Sequence, residues 1–178
     1  MTTMHKYNPS TQNRIGEIRG GIRTETPVLT GTATYFTAAT DYDIFNIVGM
    51  VQVEALYWET TTVFSADATT KKLQAVWTTP TIAKADIGAA SASMASSAVG
   101  ERVTWQATTA ATAMVVSDPG ISIVPPPGIL GGVTGDGTNY VGVINVVVAT
   151  SQGSGSAAGR WVCHYFPLSE GAYVESAI

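Results

Sequence analysis

The plainest chemical potential in this chain sits at Cys163-His164, where the only cysteine adjoins one of only two histidines. A thiol beside an imidazole is the raw material of a thiolate nucleophile and its base. The surrounding RWVCHYFPL, residues 160 to 168, reads as a β-strand. Successive side chains of a strand point to opposite faces, so Cys163 projects with Trp161 and Tyr165, and His164 with Val162 and Phe166. The neighbours cannot meet, and His5 lies far away in a polar stretch. Cys163 is therefore expected to pack as a small buried apolar residue. No catalytic residue is assigned.

Other constellations are weaker. Two distant histidines and one cysteine cannot supply a structural zinc site. Asp41 and Asp43 of TDYD share one side of an extended segment and could hold a cation together, although a turn leading into a strand is the commoner meaning. GDGTN, residues 135 to 139, resembles a calcium loop but lacks the later bidentate glutamate. Asp136-Gly137 reads instead as a tight turn. The glycines of GSGSAAG fail the phosphate-loop spacing, and no serine has the flanking glycines of a nucleophile elbow. No metal and no cofactor is expected. Trp58, Trp77, Trp105 and Trp161 could build a sugar-stacking platform, but each lies in an alternating strand, which favours packing in the core or between subunits.

The elements that must position these residues follow from composition and period. At 178 residues the chain is long enough for one domain with a real core. Only 12% of residues are charged, against about 25% in ordinary globular proteins. Abundant threonine and 18 glycines lean toward strands and turns. So little charge also points to surface that faces other protein. The net charge of −4 argues against nucleic acid. Lys6, Arg14, Arg19 and Arg23 outnumber Glu17 and Glu25 in residues 1 to 26, so the acidity belongs to the rest of the chain. A single cysteine makes no intramolecular disulfide, and the longest apolar run, YVGVINVVVA, is too short to cross a bilayer. No signal peptide is read, and a soluble protein is expected.

Residues 1 to 27 show no apolar period and read either as a disordered tail or as an extended arm lying on a neighbouring subunit. From residue 28 to 178 a single β-sandwich domain is expected. TGTATYFT, YDIFNIVG, MVQVEALYWETTTVF, KKLQAVWTT, ERVTWQA, AMVVS, TNYVGVINVVVAT and RWVCHYFPL read as strands. The alternation in residues 50 to 64 is the clearest, placing Val51, Val53, Ala55 and Tyr57 opposite Gln52, Glu54, Leu56 and Trp58. DIGAASASMASSA reads as a loop with one helical turn at most, VPPP bars a central strand, and SEGAYVESAI reads as a tail. The last two strands are expected to pair as an antiparallel hairpin. From Arg102 to Arg160 only Asp118 and Asp136 intervene with charge, so the hairpin's outer face is expected to meet another subunit. The fold class is all-β, a sandwich or jelly roll with an extended N-terminal arm.

A VPPPG element (Val124 to Gly128), a valine-rich strand (Val141 to Val148) and a closing W-x-C-x-Y-x-P-L-x-x-G-A-x-V segment (Trp161 to Val174) resemble small virion proteins of tailed bacteriophages. GTATYFTAATDYDIFNIVGMVQVEALYWETTT is similar to their opening strands. The similarity runs from about Thr30 to Glu175 through short structural motifs, and the basic arm has no counterpart in it. The resemblance implies a capsid decoration, or cement, protein on the outside of the phage head, made in the bacterial host cytoplasm. Such proteins are often trimers that bridge neighbouring capsomers. The implied partners are the major capsid protein and further copies of this chain, with no nucleic acid and no membrane. Arg14, Arg19 and Arg23 are then expected to make the arm's polar contacts, and Trp161, Tyr165 and Phe166 to pack in the core or between subunits. A tail-fibre, head-fibre or neck component binding a receptor or glycan is the alternative, and a cell-wall hydrolase comes third.

Overall fold

A computed structural model describes residues 21–30, 35, 41–64, 70–79, 81–109, 111–119, 127–150 and 157–178. Its strands, in chain order, are β1 (Ile22–Glu25), β2 (Leu29–Thr30), β3 (Asp41–Val48), β4 (Met50–Thr62), β5 (Thr70–Thr79) and β6 (Thr81–Gly88). They continue as β7 (Arg102–Thr104), β8 (Val115–Ser117), β9 (Gly128–Gly131), β10 (Val141–Thr150), β11 (Ala158–Pro167) and β12 (Tyr173–Ser176). No helix occurs among the described residues. One sheet has the order β1-β11-β4-β7-β8, with β2 on β11 and β9 on β4; the other has the order β12-β3-β10-β5-β6. Every ladder is antiparallel.

The two sheets close on one core. Val51, Leu56, Trp58 and Trp161 from the first meet Ile44, Phe45, Ile47 and Ile144 from the second, all fully buried. Two sheets, each with one apolar face, bury both faces by stacking, which gives the expected β-sandwich. Trp161 also links the sheets directly, donating its indole N–H to the Tyr42 hydroxyl at 3.4 Å.

The long strand β4 forms where its alternation predicts it, but its faces change over midway. Val51 and Val53 are buried in its first half, and Leu56, Trp58 and Thr60 in its second. The cause is a β-bulge. On β11, Tyr165 pairs with Val53 and His164 with Ala55, so Glu54 is an extra residue without a partner. One extra residue exchanges inside for outside along the rest of a strand. The expected grouping of Ala55 and Tyr57 with the buried valines is therefore corrected. A second bulge, at Ile44 in β3, lets adjacent Ile44 and Phe45 both enter the core.

Three further expectations change. β10 and β11 are not a hairpin: β10 lies between β3 and β5 in one sheet, and β11 between β1 and β4 in the other. Each carries a complete inward apolar row, Ile144-Val146-Val148 and Trp161-Cys163-Tyr165, and the two rows contribute to one core from opposite sheets. SEGAYVESAI is not wholly a tail, because β12 within it pairs with β3 from Tyr173↔Val48 to Ser176↔Phe45. TIAKA, unassigned in the sequence, and the DIG expected in a loop together form β6 against β5. The serine-alanine segment that follows makes turns and no helical turn. Its Met94 is fully buried, and Glu101 holds it by accepting from the Ser97 hydroxyl and the Ala98 N–H, each at 3.0 Å.

Of the stretch read as an arm, Ile22–Glu25 is β1, paired to β11 from Ile22↔Tyr165 to Glu25↔Val162. Residues 1–20 lie outside the described residues, as do most of TGTATYFT and the prolines Pro125 and Pro126.

Candidate interaction surfaces

On β11 the two residues that opened the sequence reading separate as their alternation requires. Cys163 is fully buried between Trp161 and Tyr165, and desolvation pushes its thiol up to about 12. A thiol so shielded holds its proton at neutral pH and is neither nucleophile nor ligand. His164 is half-buried on the opposite face, stacked on Tyr57 with ring centroids 6.2 Å apart.

That outer face carries a row of charges across four strands. Glu59 on β4 is the register partner of Arg160 on β11 and of Arg102 on β7. Arg160 donates to one Glu59 oxygen from Nε at 3.1 Å and Nη2 at 2.9 Å, and Arg102 donates to the other at 3.1 Å. Arg160 also reaches Glu25 on β1, which pairs with Arg23. Burial alone would raise the Glu59 carboxyl, but hydrogen bonds from Arg160 and Arg102 outweigh it and hold the group below its ordinary value. The Arg102 guanidinium also covers the Tyr57 ring at 5.0 Å. The row is thus largely neutralised within the chain.

The same cations act on His164. Desolvation first, then Arg23 and Arg102, lowers its pKa below the ordinary imidazole value. Other charged groups about it are Glu25, Glu59 and Arg160, from strands β1, β4 and β11. A lowered folded pKa means that the unfolded chain takes the proton first as pH falls. The wild type is therefore expected to lose stability as pH drops from about 6.5 toward the lower folded value. Urea midpoints at pH 7.5 and 5.5 test this: His164→Asn should lose less than wild type over that interval. Equal losses would remove His164 from the account. Losses from Glu59 fall at lower pH, in the carboxylate range, and do not confuse the comparison.

The acidic pair Asp41 and Asp43 lies on the outer face of the second sheet, in an open cleft of about 520 Å³ with Thr78, Val143 and Asn145. Both carboxylates already have partners: Asp41 the ammonium of Lys84, and Asp43 the Asn145 amide at 3.1 Å. No group of three or more potential metal-ligating His, Cys, Asp or Glu residues occurs among the described residues. Asp136 accepts from the Thr138 N–H at 3.1 Å within the tight turn expected there. Trp58, Trp105 and Trp161 are buried and offer no face to a sugar, while the Trp77 side chain is outside the described residues.

Of the sequence-predicted contact residues, Trp161 and Tyr165 are core, Phe166 is half-buried on the outer face, and Arg23 is exposed beside Glu25. Arg14 and Arg19 lie outside the described residues.

One surface has no counterpart in the sequence reading. The corner at Gly49, where β3 turns into β4, gathers three distant segments. Gly49 donates to the Tyr140 carbonyl at 2.8 Å, and Gly132 donates to the Gly49 carbonyl at 3.2 Å. Leu168 donates to the Met50 carbonyl at 2.8 Å. Around this corner Val133, Val141, Leu168 and Tyr173 are each more than a third exposed. Val141 and Tyr173 flank Val48 in register, from β10 and β12. The forming segments, 46–52, 128–143 and 166–178, contain Asp136, Glu170 and Glu175 and no Lys, Arg or His. The end of the sandwich is therefore apolar with an acidic rim.

No protein-family model, curated protein or solved structure matches the chain.

Proposed function

We propose that this chain is a virion structural protein of a tailed bacteriophage, a decoration protein that binds the outside of the assembled head and stabilises contacts between major capsid protein subunits. The observation that carries the reading is the apolar end at Gly49, where four of the ten large apolar side chains exposed among the described residues lie on segments that hold no Lys, Arg or His. Clustered exposure of this kind is costly in water and marks a surface intended for other protein. The bacteriophage-like pattern from the VPPPG element to Val174 favours a capsid protein as that partner. The mechanism is mass action: a clamp that binds only the assembled shell stabilises it by its own binding free energy. Self-association, as a trimer at local three-fold points, multiplies the contacts each copy makes.

Purified full-length protein mixed with heads lacking it is expected to co-sediment to a saturating ratio and to raise the temperature at which those heads release DNA. Unassembled capsid subunits should not bind it. A lone monomer without affinity for mature heads would refute the reading.

A further inference from the structure

The apolar, acid-rimmed end needs an occupant that is apolar and basic, and this chain contains one. We infer that residues 1–20 of a second copy dock on the Gly49 end, with the Arg14-Ile15-Gly16-Glu17-Ile18-Arg19 segment placing Ile15 and Ile18 among Val141, Leu168 and Tyr173. The inference rests on the structural-protein reading above and names the surface by which copies hold one another.

Three observations lead there. The first is charge. Lys6, Arg14 and Arg19 outnumber Glu17 in residues 1–20, whereas residues 27–178 are strongly acidic. Within the body Lys84 is committed to Asp41, and both Arg102 and Arg160 to Glu59. The segments that form the end hold Asp136, Glu170 and Glu175 and no Lys, Arg or His, so a cationic segment is attracted to this rim. The second is where the described chain begins. β1 starts opposite Tyr165, and Gly21 sits against the Phe166 ring, only two residues before Leu168. The segment outside the description thus departs at the end that carries the patch. The third is length. Twenty residues reach about 65 Å when extended, enough to cross to a neighbouring body. The Arg-Ile-Gly-Glu-Ile-Arg composition suits such a site, with apolar side chains for the centre and guanidinium groups for the carboxylates of the rim.

Two full-length variants test this, one carrying Ile18→Cys and the other Leu168→Cys, mixed and treated with a short bis-maleimide. The native Cys163 is buried and stays out of the reaction. Cross-linked heterodimers joining position 18 to position 168 are expected. Adding Arg14→Glu and Arg19→Glu to the first variant should cut the yield roughly tenfold, and adding Glu170→Arg and Glu175→Arg to the second should restore it. No heterodimer, or a loss that the reversed rim fails to restore, overturns the inference. So does a chain carrying both cysteines that links only within itself at every dilution, since the segment then lies on its own body. Head binding separates the two readings: heads that bind protein lacking the cross-link sink this inference alone. A cross-link between chains that bind no heads sinks only the decoration reading.

Discussion

Trp161→Ala is expected to lower the unfolding free energy by about 4 kcal/mol, the range for emptying a fully buried tryptophan site. Trp161 is wholly inaccessible and meets the indole of Trp58, its register partner on β4, edge-on at a centroid distance of 5.7 Å. Its N–H crosses to Tyr42 in the other sheet, so the substitution removes both volume and an inter-sheet hydrogen bond. Trp161→Phe separates the two contributions, since it keeps most of the ring and loses the donor. That variant should lose about half as much, a partial transfer term plus about 1 kcal/mol for the bond. Urea unfolding followed by far-ultraviolet circular dichroism reads both without relying on tryptophan emission. With roughly 5–15 kcal/mol available to a domain of this kind, the alanine variant sits near the limit of folding. A loss below about 1.5 kcal/mol for Trp161→Ala would mean that the two sheets are not joined through this residue.

The same residue shows what the sequence makes readable. The alternation of RWVCHYFPL assigns Trp161, Cys163 and Tyr165 to one face and His164 to the other, and all four lie there, because a strand's period of two is a local property. The faces of β4 escape the same reasoning. Whether Glu54 is paired or bulged depends on its register against β11, some hundred positions away in the chain, and nothing in VQVEALYW records that register. Proximity in sequence also misleads at β10 and β11. A short glycine-serine loop between two strands suggests a hairpin, yet two strands each with a full inward row can also sit in opposite sheets across the core. β12 is hidden for another reason: Tyr173–Ser176 is too short to show a period, and becomes a strand only because β3 offers it an edge. The Gly49 end combines all of these limits. Its shortage of cations can be counted in the sequence, but segments 46–52, 128–143 and 166–178 become one surface only through topology.

Gly49→Ala should cost about 3 kcal/mol, and a second glycine separates its causes. Gly49 has φ of +76°, a left-handed conformation that costs an L-residue about 1–2 kcal/mol. A Cβ there would also stand 2.6 Å from Ser169 Oγ, 2.8 Å from Ala172 Cβ and 2.9 Å from Asn139 Oδ1. Ser169 cannot easily retreat. Its hydroxyl accepts from the Met50 N–H and donates to Asn139 Oδ1, each at 3.0 Å, and Asn139 in turn donates to the Glu170 carbonyl. Overpacking adds about 1–3 kcal/mol to the backbone strain. Gly137, with φ of +87°, has nothing within 4 Å of the corresponding position. Gly137→Ala should therefore show the strain alone, about 1–2 kcal/mol. Equal losses for the two variants would show that the corner tolerates the methyl group. A larger loss at Gly49 ties the stability of the fold to the same hydrogen bonds that set out the apolar end. That end then comes into being only with the folded body, so a partner that binds it selects the native state.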